Sequence, residues 1–93
     1  MNLYSLVVEC QGKTVSTQVE AKSAESAVST LLAGPYLHMR EAAFGAIAPD
    51  LDAADIIYVR PMMDLVNIWA ASAGRNGKYI SIVCVRTVVG GAA

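Results

Sequence analysis

The side chains able to do chemistry in this chain are few and far apart. His38 is the single histidine, and Glu41 stands three residues on, within reach across a helical turn. A general base also needs a nucleophile or substrate proton held beside it, and no activated nucleophile accompanies this pair. Cys10 and Cys84 are isolated, with no Cys-x-x-Cys spacing. One histidine and two lone cysteines do not make a zinc ligand set, and the bland reading of both thiols is burial in the reduced form. Asp50, Asp52 and Asp55 form an acidic connection. Calcium loops place their acids at fixed offsets around a glycine and end on a glutamate; neither follows here, so a solvated, helix-capping loop is expected. Gly74-Arg75-Asn76-Gly77 has the Gly-x-x-Gly spelling of an RNA backbone clamp, but that clamp joins two helices and this tetrapeptide joins two apolar runs. An Asn-Gly hairpin turn is the expectation there. Gly77-Lys78 is followed by Tyr79 and lacks the upstream glycine of a phosphate loop. No catalytic residue, metal ligand or cofactor site is assigned.

An aromatic group remains. Trp69 and Asn67 are spaced to share one strand face, and Tyr58 and Tyr79 fall on neighbouring segments. Together the four could form an interface anchor or a ligand wall, although aromatic side chains in such strands more often belong to the core. Ser16 and Gln18 sit on the polar side of the second strand, where solvation is the ordinary reading.

The elements that would carry these residues follow from periodicity and punctuation. Residues 3–10 read as a strand, Gly12 allows a tight turn, and residues 14–21 alternate cleanly, with Val15, Thr17, Val19 and Ala21 on one side. Ser23 is a good N-cap, and Ala24, Ala27, Val28, Leu31 and Leu32 make one helix face over residues 23–33, closed by Gly34 and Pro35. Met39, Ala43, Phe44 and Ile47 suggest a second helix over residues 36–48, interrupted by Gly45 and ended by Pro49. Residues 56–59, stopped by Pro61, read as an edge strand. Residues 66–72 and 79–88 read as two further strands around the Asn-Gly turn, and residues 90–93 as a tail.

The first and last strands are the unusual ones. Leu3-Tyr4-Ser5-Leu6-Val7-Val8 and Tyr79-Ile80-Ser81-Ile82-Val83-Cys84-Val85 carry apolar residues at both parities, the mark of strands covered on both faces. They are therefore expected side by side at the centre of one sheet, with one face covered by the helix of residues 23–33 and the other by the helix of residues 36–48 or by a second copy. The fold class is α+β: an antiparallel sheet of four to five strands in the order strand, strand, helix, (helix), strand, strand, strand, with the helix of residues 23–33 packed on one face.

With 93 residues the chain is a single domain, residues 1–93. Hydrophobic residues make up 55% and charged residues 16%, below the ~25% usual for soluble domains, so more apolar surface is present than one small domain can hide. The net charge is −1 and the basic residues Lys13, Lys22, Arg40, Arg60, Arg75, Lys78 and Arg86 are scattered, which argues against nucleic acid as a partner. No apolar run is long enough to span a bilayer, and Met1-Asn2-Leu3-Tyr4-Ser5 lacks a basic leader, so a cytoplasmic address without a membrane partner is expected.

Two stretches carry a resemblance. Tyr4-x-Leu6-Val7-Val8-Glu9, Gly12, Val15-Ser16-x-Gln18-Val19-x-Ala21 and Ala24-x-x-Ala27 at one end, with Leu65-Val66-Asn67-Ile68-Trp69, a Gly-Lys hairpin and Ile80-x-Ile82-Val83-x-x-x-Thr87 at the other, are similar to a family of small uncharacterised bacterial proteins. The resemblance implies the same strand–strand–helix–strand–strand layout and no known activity.

The functional expectation is a small non-enzymatic protein-interaction module, self-associating as a homodimer and open to another protein partner. An antitoxin or immunity-like protein holding a toxin is a special case of that reading. A small-ligand binder using the surroundings of Trp69 and Tyr58, with His38 or Glu41, is the alternative.

Overall fold

In a computed structural model that describes residues 1–10, 12–33 and 51–88, the strands and the capped helix form from the signals above. β1 (Asn2–Cys10) and β2 (Lys13–Ala21) pair antiparallel from Cys10↔Lys13 to Asn2↔Ala21. That register leaves a two-residue loop, in which Gly12 takes a φ of 81° that a side chain would resist. α1 (Ala24–Leu32) begins at Ser23, whose Oγ accepts the Ser26 amide at 3.1 Å. It ends at Ala33, whose N–H donates to the Thr30 carbonyl at 3.1 Å, one residue before the glycine expected to close it. The second helix expected over residues 36–48, together with His38, Glu41 and Asp50, lies outside the described residues.

The chain re-enters at Leu51, which is buried. Asp52 caps a single 3-10 turn (Ala53–Asp55): its carboxylate accepts the Ala54 amide at 2.8 Å, while Asp55 accepts the Asp52 amide at 2.9 Å. Asp55 also meets the Arg75 guanidinium at 3.4 Å. The two acids thus complete a reciprocal cap, the role the sequence suggested for this loop.

β3 (Ile56–Pro61), β4 (Ile68–Arg75) and β5 (Lys78–Arg86) finish the sheet. Asn76 and Gly77 have φ of 53° and 81°, so the β4–β5 hairpin turns through a two-residue loop with both central residues left-handed. The type I′ geometry of that loop matches strand twist. β4 starts two residues later than periodicity suggested. Asn67 has a φ of 64° and stands outside the strand, and Asp64 has a φ of 63° in the turn Met62–Leu65. These two left-handed residues hold back the start of the strand.

All five strands form one antiparallel sheet in the order β2-β1-β5-β4-β3. The chain's first and last strands therefore do meet at its centre, paired from Tyr4↔Arg86 to Glu9↔Ser81, and β3 is an edge as Pro61 indicated. One inner face carries the core. Tyr4, Leu6, Val8 and Cys10 of β1, Val19 and Ala21 of β2, Ala71 and Ala73 of β4, and Ile80, Ile82 and Cys84 of β5 are buried in one cluster with Ala24, Ala27, Val28, Leu31, Leu32 and Leu51.

Within the described residues the second face of these two strands has no cover. Along β1 and β5 burial alternates, so the intervening residues Val7 and Val83 remain 39% and 37% exposed while Leu6 and Cys84 are sealed. Position at the middle of a sheet protects strand edges, not faces. The second apolar face of these strands is left open among the described residues.

Candidate functional site

The open face is the candidate site, and the ladder registers define it residue by residue. Its middle row crosses all five strands as Ser16, Val7, Val83, Ala70 and Arg60. One step toward the Asn-Gly turn, the next row runs Thr14, Glu9, Ser81, Ser72 and Tyr58. One step the other way it runs Gln18, Ser5, Val85 and Ile68. Directly opposed side chains in adjacent strands point to the same side, so these rows form one surface.

The pattern is an apolar centre with polar flanks. Val7, Val83, Val85, Ala70 and Ile68 occupy the three central strands. Ser16, Gln18 and Glu20 line the β2 side, where Gln18 Nε2 donates to Ser5 Oγ at 3.1 Å. On the β3 side the Arg60 guanidinium lies 4.6 Å from the centroid of the Tyr58 ring. A cation over an aromatic face keeps its charge and gains a flat partner. Charge is therefore divided, with Glu9 and Glu20 on β1 and β2 and Arg60 on β3.

The proposed aromatic group does not assemble. Trp69 is opposite Cys84 on the inner side, where its ring meets Tyr4 edge-on with centroids 5.8 Å apart. Tyr58 pairs with Ser72 and Tyr79 with Gly74, both on the outer side. Asn67 is a loop residue whose carbonyl accepts the Arg86 amide at 2.8 Å. The sequence did hold the signal: a two-residue Asn76-Gly77 loop places Tyr79 opposite Gly74, an odd number of residues from Trp69, and odd separations along a strand change faces.

Tyr79 has a local task as well. Its ring covers Gly74 so closely that a Cβ there would lie 2.0 Å from Tyr79 Cδ1 and 2.8 Å from the Lys78 carbonyl oxygen. The glycine makes room for the ring, which in turn shields the bare backbone.

Ser72 donates its hydroxyl to the Ile80 carbonyl at 3.2 Å, so it is held as a structural donor. Among the described residues no three His, Cys, Asp or Glu side chains converge as a metal site. An open cleft of about 510 Å³ at the other end of the sheet is bounded by Leu3, Glu20, Arg86, Thr87 and Val88. Cys10 and Cys84 are both buried and free. Cys84 lies opposite Leu6, four residues from Cys10 along β1. At ~3.3 Å per residue that is about 13 Å, beyond the ~7 Å limit for a disulfide. Burial pushes the Cys84 thiol up to about 11, with the Glu25 carboxylate adding to the shift, so it is a poor nucleophile.

Among the described residues no helix is long and apolar enough to cross a membrane. Compared with protein-family models, curated proteins and solved structures, the chain matches none.

Proposed function

We propose that this chain is a non-enzymatic, cytoplasmic protein-binding module that works as a homodimer, with the outer face of its sheet as the binding surface. One observation carries the reading: valines, an isoleucine and an alanine occupy the middle of a five-stranded sheet on the side facing water. Solvated sheet faces ordinarily present polar side chains, and a contiguous apolar patch marks a contact surface. The inner face supports the same reading, because α1 contributes its own apolar stripe to the core there and is read as that face's cover. The likeness to small bacterial proteins of unknown role adds no activity.

Size favours the proposal. Strands ~4.8 Å apart and rows ~6.7 Å apart give a face of about 500 Å² per copy, or about 1,000 Å² for two copies together. That reaches the lower bound of specific interfaces. The decisive experiment is sedimentation of the chain and of Val83→Lys at about 50 μM. The unsubstituted chain is expected as a dimer, and the variant as a folded monomer, because an unpaired ammonium in the apolar centre opposes burial. A monomer in both samples would overturn the proposal.

A further inference from the structure

Resting on that dimer reading, we infer that two copies stack face to face about a two-fold axis that runs parallel to the strands, over β5 and through Val83. β5 is the third of five strands, and Val83 is the middle residue of the row Ser16, Val7, Val83, Ala70, Arg60. An isologous contact must map this surface onto itself, and aligned sheets allow two axes, one along the strands and one across them.

The two axes bring different residues together. An axis along the strands exchanges the left and right sides of each row. Val7 then covers the partner copy's equivalent of Ala70, a larger side chain over a smaller one. Arg60 covers the equivalent of Ser16, with the equivalent of Glu9 one row away. Each row also meets its own copy, so Val85 faces Val85, Ile68 covers the equivalent of Ser5, and the Glu9, Ser81 and Ser72 row faces polar residues. An axis across the strands keeps left and right but exchanges rows. Arg60 would then face Arg60, Val7 would face Val7, and Val85 and Ile68 would be buried against Ser81 and Ser72. Like charges opposed and polar groups sealed under apolar ones are both unfavourable. The axis along the strands opposes no like charges and sets only Ile68 against a polar residue, so it is the one that makes the surface more nearly complementary to itself.

A second copy is the occupant that this self-complementarity selects. The chain also leaves α1 at Leu32 and returns at Leu51 with both residues in the inner cluster, so both junctions lie on the opposite side of the sheet.

The test uses single-cysteine additions to the full chain and a short bismaleimide crosslinker, with the unsubstituted chain as control because Cys10 and Cys84 are buried. Val83→Cys is expected to crosslink to itself. Val7→Cys mixed with a size-tagged Ala70→Cys chain is expected to give the mixed dimer at least about five-fold above either self-crosslink. Ser16→Cys with Arg60→Cys repeats the test at the rim, should the central variants fold poorly. Self-crosslinks of Val7→Cys and Arg60→Cys in place of mixed ones would overturn the axis and leave the dimer reading standing. A dimer by sedimentation without any crosslink at Val83 would place the contact elsewhere and overturn the inference. A chain that sediments as a monomer would overturn the dimer reading itself.

Discussion

Val7 and Val8 are adjacent, identical in type and on the same central strand, yet they should respond very differently to truncation. Val8 is 0% exposed and belongs to the core cluster, whereas Val7 points to the open face. Burying a valine side chain is worth ~1.5–3 kcal/mol, and truncation in a sealed core adds the cost of the void left behind. Val8→Ala should therefore destabilise the fold by about 2–3 kcal/mol at every chain concentration. Val7→Ala should cost about 0.5 kcal/mol in the isolated chain, largely the lower strand preference of alanine. Its main effect should appear only where copies associate. Urea unfolding at chain concentrations from about 1 to 100 μM separates the two, because dimer stability rises with concentration and monomer stability does not. Val7→Ala should flatten that dependence, and Val8→Ala should shift the whole curve. If Val7→Ala costs as much as Val8→Ala at the lowest concentration, the outer face is already covered within one chain and the reasoning fails.

Other expectations follow from the same contacts. Gly74→Ala should lose about 1–3 kcal/mol despite alanine's usual advantage over glycine in a strand, since the new methyl collides with the Tyr79 ring and the Lys78 carbonyl; adding Tyr79→Ala should recover only part of it, as read by thermal unfolding. Ser23→Ala removes the acceptor for the Ser26 amide and should cost about 1 kcal/mol, a fall in melting temperature of roughly 4–8 °C for a domain of this size. Cys84 is held neutral in the folded chain and titrates near 11, above its ordinary 9.0. A raised folded value gives stability that is complete below the unfolded value and fades as pH climbs from about 9 to about 11. Cys84→Ser unfolded over that range should lack this alkaline step, and Cys84 should resist alkylation at pH 8 until the chain is denatured.

Local chemistry was legible wherever a residue type constrains its own backbone. Gly12 and Asn76-Gly77 announced their turns because left-handed dihedrals suit few residues, and Ser23 announced the helix start because its hydroxyl satisfies an otherwise unpaired amide. Pro61 marked β3 as an edge because it cannot donate to a further ladder. The cap formed by Asp52 and Asp55 was legible for the same reason, whereas the early end of α1 at Ala33 depends on a backbone bond that no single residue type specifies.

The candidate site was harder to read. Apolar residues at both parities correctly placed β1 and β5 at the centre of the sheet, but parity cannot say whether the second face is covered by the same chain or left for another. The Asn76-Gly77 turn already parted Trp69 from Tyr79, but Tyr58 could be placed only through the β3–β4 pairing, whose register shifts between Ile56 and Tyr58.

The order of elements, their turns and their caps were thus determined by the sequence itself, since each depends on neighbours within a few residues. Tertiary structure decided which side of the sheet became core, which apolar side faced water, and which charges came to stand at opposite flanks of one surface. Those outcomes depend on ladders between residues as distant as Val7 and Val83, where strand pairing sets the partners and local preference has no hold.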